Sequence, residues 1–301
     1  MMHDPILRTL TYFFIVFGIC MLINIILSLR ERKTEVWLRT LGWIMVIPTF
    51  IITAYFGGVI FLVAVMLMVS IAVEEFYFLA GRCDIGAFRV TGTVFSTLLP
   101  LVAFLGGSEI FHIMVVLFAL IILVLPIYKR QVRKDLSTDI QTSSATILGM
   151  FYVGWTSSYL ILIRNMENGF NYFLFFFLLI IATDTSSYYF GKFLGKTKVF
   201  SFISPGKSLQ GYFGGVTIAL LFAYIISYLL PITELKAILL FGTLIAVSGQ
   251  LGDLVESSLK REAKVKDAGR ILPGFGGILD RFDSLIFASP VVYFFLVLLT
   301  S

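Results

Sequence analysis

The chain has 301 residues, of which 58% are hydrophobic and 14% charged, with a formal net charge of +5 and a mean hydropathy of +0.97. So apolar a composition excludes a water-soluble globular domain and predicts an all-α, polytopic integral membrane protein. The positive balance then reads as membrane topology and contact with anionic membrane lipids, and no nucleic-acid partner is expected.

A bilayer core takes about 20 apolar residues per helix. That ruler divides the chain into about ten candidate transmembrane helices, at 8–29, 38–56, 58–80, 90–106, 110–128, 145–163, 170–190, 211–230, 235–257 and 284–300. The apolar run within the first 30 residues is too long for a signal peptide and no small-residue cleavage pattern follows it, so it reads as a retained helix. Only Gly57-Gly58 separates the second and third spans, which fits either a tight helical hairpin or one bent element. Cys20 and Cys83 have neither the number nor the spacing of a disulfide or zinc framework, and the isolated His3 and His112 carry no metal pattern. The run Phe173 to Phe177 suits a lipid-facing helix. Of the 23 Lys and Arg residues, all but Arg8, Arg164 and Lys236 fall into alternate loops of this scheme. Basic residues are retained on the cytoplasmic side, so both termini are expected outside and the loops after 190 and 257 in the cytoplasm.

Chemistry-bearing residues concentrate in the second of two regions, residues 1–169 and 170–301. Asp184 lies inside an apolar span, where a carboxylate is costly unless it faces a polar cavity. Downstream, Ser204-Pro205-Gly206-Lys207-Ser208 offers hydroxyls, backbone N–H groups and an ammonium beside a helix start, an arrangement suited to phosphate oxygens. It also fits an ordinary positively charged loop with a Pro-Gly turn. The nearby Gly191-Lys192-Phe193-Leu194-Gly195-Lys196-Thr197 is one residue too short for a P-loop and follows a transmembrane helix instead of a strand, so its glycines are read as packing or turn residues.

The next cluster begins at Gly252-Asp253. At helical spacing Asp253, Glu256 and Lys260 share one face, and Glu256 with Lys260 reads as a stabilising pair. Beyond it come Lys260-Arg261, Lys266-Asp267, the turn Pro273-Gly274-Phe275-Gly276-Gly277, then Asp280-Arg281-Phe282-Asp283. Capping a helix N-terminus explains one of these aspartates; it does not require Asp253. Asp253 with Asp280 can hold a magnesium ion while Lys207, Lys260, Arg261, Lys266 and Arg281 bind phosphate, which describes a metal-assisted phosphoryl- or nucleotidyl-transfer site.

At these residues the sequence resembles the CDP-diacylglycerol synthase (phosphatidate cytidylyltransferase) family. The resemblance rests on Ser257 or Ser258, Lys260-Arg261, Lys266-Asp267, Gly276-Gly277, Asp280-Arg281 and Asp283, on the upstream block from Asp184 through Ser204-Pro205 and Lys207-Ser208 to Gly211, and on Glu75-Phe76-Tyr77. It covers roughly residues 38–300, which makes the first span an addition to the family core. Two positions depart: Phe275 stands where the family has His, and Gln210 where a Glu is common.

The resemblance implies a transferase of phospholipid biosynthesis that moves a cytidylyl group from CTP to phosphatidate, giving CDP-diacylglycerol and pyrophosphate. It implies Mg2+ as cofactor, with a second cation beside it left open, a homodimer, and an active site facing the cytoplasm from a multi-pass integral membrane protein, in the cell membrane if the source is a bacterium. Asp253, Asp280, Lys260, Lys266 and Asp267 are the implied catalytic residues, and Asp253, Asp280 and Asp283 the metal ligands. Asp184, Ser204, Lys207, Ser208, Arg261, Gly276, Gly277 and Arg281 are the implied substrate-binding set. A cytidylyltransferase for another lipid phosphate and a non-catalytic membrane relative are the alternatives. A transporter is opposed by charge gathered at one face.

Overall fold

A computed structural model describes residues 11, 46–133, 140–199, 201–269 and 276–300. Lipid offers no partner for backbone N–H and C=O groups, so an apolar chain satisfies them within helices. In chain order these are α1 (Val46–Phe56), α2 (Gly58–Arg82), α3 (Arg89–Arg133), α4 (Ile140–Gly149), a π-helical segment Met150–Trp155, α5 (Thr156–Asn165), α6 (Gly169–Leu194), α7 (Leu209–Ile225), α8 (Leu235–Glu262) and α9 (Leu279–Thr300).

Among the described residues, 6 helical stretches are long and apolar enough to cross a membrane, with α4, the π-helical segment and α5 forming one of them. The protein is therefore all-helical and multi-pass. Several expected spans take another form. The expected helix over 8–29 lies outside the described residues apart from Thr11. The expected pair 90–106 and 110–128 is found as two successive helical stretches within Arg89–Arg133, separated by a kink at Gly107, whose φ 64° and ψ −167° are not helical. Gly57, at φ 64°, breaks the chain between α1 and α2. The expected span over 211–230 ends early, because the 17-residue α7 stops at Ile225 and gives way to a short 3-10 turn.

The expectation of a lipid-facing Phe173–Phe177 run is corrected by the structure. Phe173, Phe175 and Phe176 are 0% exposed and Phe177 is 5% exposed. Phe173 meets Phe50 at 5.8 Å and Phe61 at 5.2 Å between ring centroids. Phe175 stacks on Phe241 at 5.4 Å. Four phenylalanines and Leu174 in five consecutive positions cover every side of a helix, and α6 lies in the middle of the bundle, so these side chains fill inter-helix space on all sides. In lipid, helix association depends on this close packing more than on hydrophobicity, since the tails are equally apolar.

The two ends of the bundle differ. At one end Arg164 Nε donates to Ala54 O at 2.6 Å, closing the exposed carbonyl end of α1. At the other, the C-termini of α6 and α8 meet the N-termini of α7 and α9, and the charged loops gather there. His112 packs inside, with Nε2 2.9 Å from Tyr159 Oη.

Phe173→Ala is expected to lower unfolding stability by about 3–5 kcal/mol, whereas Phe213→Ala, at a position 60% exposed, has a much smaller effect. Detergent-driven unfolding of the two purified variants checks this; equal losses would return the run to the lipid face.

Candidate active site

The loop between α6 and α7 is tied down by bonds among its own residues and the first turn of α7. Gln210 Oε1 accepts from Lys196 N and Thr197 N, each at 3.1 Å. Leu209 N donates to Thr197 O at 2.9 Å. Ser208 Oγ accepts from Gly211 N at 3.2 Å and so caps α7. These bonds explain how Gln210 serves where a Glu is common: an amide oxygen receives the same two N–H donors. Arg261 Nε, from the end of α8, donates to Ile203 O at 3.0 Å and joins this loop to the second charged cluster.

The carboxylates come together through α8 and α9. A Cβ at Gly252 would lie 2.7 Å from Asp283 O, so only glycine lets α9 approach this closely. Carboxylate oxygens of Asp253, Glu256 and Asp283 consequently lie within 4.8 Å of one another. Glu256 is 0% and Asp283 7% exposed. Lys207 Nζ stands 2.7 Å from Asp253 Oδ2. Lys260 Nζ lies 2.5 Å from Glu256 Oε2 and 2.7 Å from Asp280 Oδ1. Even with the adjacent Arg281 counted, carboxylates outnumber these cations. Like charges crowded in a low dielectric require a cation or protons to offset them. Glu256 Oε1 is moreover buried without a hydrogen-bond partner among the described residues. This donor set of carboxylate oxygens fits a hard divalent ion.

Asp280 is placed differently from the sequence expectation, which paired it with Asp253. Its Oδ1 is held by Lys260, and its Oδ2 accepts from Ala268 N at 2.9 Å and Gly277 N at 2.7 Å. The N–H of Gly277, expected to approach phosphate, is thus engaged by Asp280, while Gly276 takes φ +87° to make the turn. The structure groups Asp253 with Asp283 and adds Glu256, which sequence reasoning treated as a simple ion pair. The Asp253–Glu256 spacing was the signal for it.

A cavity of about 750 Å³ opens beside this cluster, lined by Asp184, Ser204, Lys207, Ser208 and Asp253 among others. Lys266 and Asp267 are exposed on the loop after α8, outside its lining. Arg261 supports the loop wall through Ile203. Arg281 lies next to the Gly276 turn, and Phe275 is outside the described residues. Cys83 sits beyond the end of α2, where partial burial and then the charge of Glu262 push its thiol up, away from reactive thiolate.

One residue from the first half reaches this end of the molecule. Glu75, buried in α2, accepts from Ile278 N at 3.1 Å and Leu279 N at 2.8 Å, satisfying the first donors of α9. Its signals in the residues were an acidic side chain in an apolar helix and its place in the Glu75-Phe76-Tyr77 motif of the family resemblance.

The profile of the Cytidylyltransferase family matches residues 37–299. The chain belongs to this family. It is 47% identical over 154 residues to a phosphatidate cytidylyltransferase of Bacillus subtilis, covering 50% of this chain and 57% of that protein. A protein of the same name from Staphylococcus aureus strain COL is 43% identical over 152 residues, covering 50% of this chain and 58% of the other. The Staphylococcus epidermidis strain ATCC 12228 counterpart is 40% identical over 152 residues, with the same 50% and 58% coverage. The chain thus matches little more than half the length of these relatives.

Glu75→Ala leaves the Ile278 and Leu279 N–H groups without acceptors, a cost of roughly 1–3 kcal/mol for each buried donor. Amide hydrogen exchange at those two residues is expected to speed up by about tenfold or more; unchanged exchange would show that Glu75 does not hold the α9 start.

Proposed function

We propose that the protein transfers a cytidylyl group from CTP to phosphatidate, forming CDP-diacylglycerol and pyrophosphate. The observation that carries this reading is the 2.7 Å contact of Lys207 with Asp253, which sets a phosphate-binding loop and a carboxylate cluster on one cavity wall. The family membership and the names of the relatives support the nucleotide and the lipid. A volume of about 750 Å³ lies in the ordinary range for a small-molecule site.

In this reading an oxygen of the phosphatidate phosphate attacks the α-phosphorus of CTP. A new P–O bond forms, the bond from the α-phosphorus to the bridging oxygen breaks, and pyrophosphate leaves with that electron pair. The nucleophile is already anionic at neutral pH, so positioning and charge neutralisation matter more than a base. Lys207, the Ser204 hydroxyl and the N-terminus of α7 bind phosphate oxygens. Asp253, Glu256 and Asp283 would hold Mg2+, which would supply positive charge to offset that of the phosphates. Asp280 acts through Lys260 and the Gly276-Gly277 turn, keeping the second ammonium beside the cluster. Lys207 exchanges its Asp253 partner for phosphate when nucleotide enters.

The site faces the cytoplasm in this proposal, because the described Arg82, Arg89, Lys192, Lys196, Lys198, Lys207, Lys260, Arg261, Lys264 and Lys266 belong to loops or helix ends at this end of the bundle, whereas Arg164 lies at the other. About ten spans with both termini outside complete the topology, and a homodimer is implied by the family resemblance.

Purified protein given labelled CTP and phosphatidate should form CDP-diacylglycerol only when Mg2+ is present; inactivity with bound CTP would point to a different lipid phosphate. Asp253→Asn and Asp283→Asn should each lower turnover by about 100-fold or more, the scale for losing electrostatic stabilisation of a transition state, and full activity in either removes that residue from the site.

A cysteine at Lys264 in a Cys20/Cys83-free background should react only with reagents on the cytoplasmic side of sealed membranes. Labelling from outside would invert the topology.

A further inference from the structure

Tyr152 is 8% exposed, and its phenolic oxygen has no hydrogen-bond partner among the described residues. Several buried Ser and Thr hydroxyls share that condition, but a short hydroxyl on a helix can turn to its own backbone carbonyl three or four residues back. A phenol cannot reach its own helix backbone, so burial of Tyr152 Oη calls for a partner from another element. The segment that carries Tyr152 packs against α9, and Ser289 Oγ of α9 donates to Thr156 O one turn beyond Tyr152, which brings Tyr152 alongside the helix that carries Asp283. Its position has a local cause: it belongs to the π-helical segment Met150–Trp155, where the wider turn redirects side chains relative to the α-helical turns before and after. Phe76 packs against its ring at 6.1 Å, fixing the ring while leaving the hydroxyl at the tip.

Asp283 has one oxygen already engaged, since Oδ1 accepts from Ser284 N at 2.7 Å. We propose that Tyr152 is a positioning residue for the cation site, donating its hydroxyl proton to the other oxygen of Asp283 and fixing the orientation of that carboxylate when a divalent ion binds. The inference rests on the cation reading given above. It draws the first half of the chain into the site through a side chain that contacts neither nucleotide nor lipid. Ligand-orienting hydrogen bonds of this kind typically change metal affinity or activity by roughly 10–100-fold.

The test uses the full-length protein in detergent without substrates, with Mn2+ as the probe and electron paramagnetic resonance reporting unbound ion. Wild type should bind Mn2+, Asp283→Asn should weaken that binding, and Tyr152→Phe, which preserves the ring, should weaken it by roughly 10–100-fold. The Mg2+ concentration giving half-maximal turnover should rise in parallel. In an Asp283→Asn background, adding Tyr152→Phe should produce no further loss, because the hydroxyl acts through that carboxylate; additive losses would overturn the proposal, as a general packing defect produces them. Unchanged Mn2+ affinity in Tyr152→Phe, with Asp283→Asn weakened, overturns the role of Tyr152 alone. No Mn2+ binding by wild type overturns the cation reading and this inference together.

Discussion

Lys260 stands 2.5 Å from Glu256 and 2.7 Å from Asp280, in the interior end of an otherwise apolar bundle. Breaking such a pair by removing one member leaves an unbalanced buried charge and typically costs several kcal/mol. The geometry of the candidate site follows from this contact. It fastens the end of α8 to the start of α9. Through Asp280 it extends to the backbone at Ala268 and Gly277, so the charged loop is anchored at both margins. Glu75 adds a third attachment from α2, and the start of α9 is held between two carboxylates from different elements.

Around that contact, helix spacing is set by small residues and large rings together. Gly252 permits α9 to come close enough for Asp283 to join Asp253 and Glu256. Gly211 does the same for α6 and α7, since a Cβ there would meet Ser187 O at 2.8 Å. The phenylalanines of α6 fill the space that remains, and Phe282 packs on Phe50 at 4.9 Å between the two aspartates of α9. An apolar ring thus fixes the register of the polar residues on either side of it.

The proposed transfer from a soluble nucleotide to a lipid phosphate would need charge at the boundary of the bilayer and a phosphate-binding loop whose backbone is held in place beforehand. The loop between α6 and α7 meets the second requirement through Gln210, Ser208 and the backbone bond from Leu209 to Thr197. Preorganised donors of this sort do not have to be assembled when ligand arrives. The first requirement would be met by the carboxylates and lysines beside the cavity, whose excess of negative charge calls for a cation or protons to offset it.

The sequence by itself determined the helical, membrane-spanning class, the concentration of charge in two loops of the second half and the family signature. Apolar run length and short-range residue spacing are local properties, and they survive without knowledge of the fold. Helical periodicity also showed that Asp253, Glu256 and Lys260 share a face. Tertiary structure alone decided which carboxylates meet. Asp280 and Asp283 lie three residues apart on one helix, yet one is drawn to Lys260 and the turn while the other joins Asp253, because the approach of α9 to α8 at Gly252 sets the partners. The same holds for Glu75, whose partners are more than 200 residues away, and for the Phe173–Phe177 run. Hydropathy cannot distinguish a helix facing lipid from one facing other helices, since both surroundings are apolar and only packing separates them.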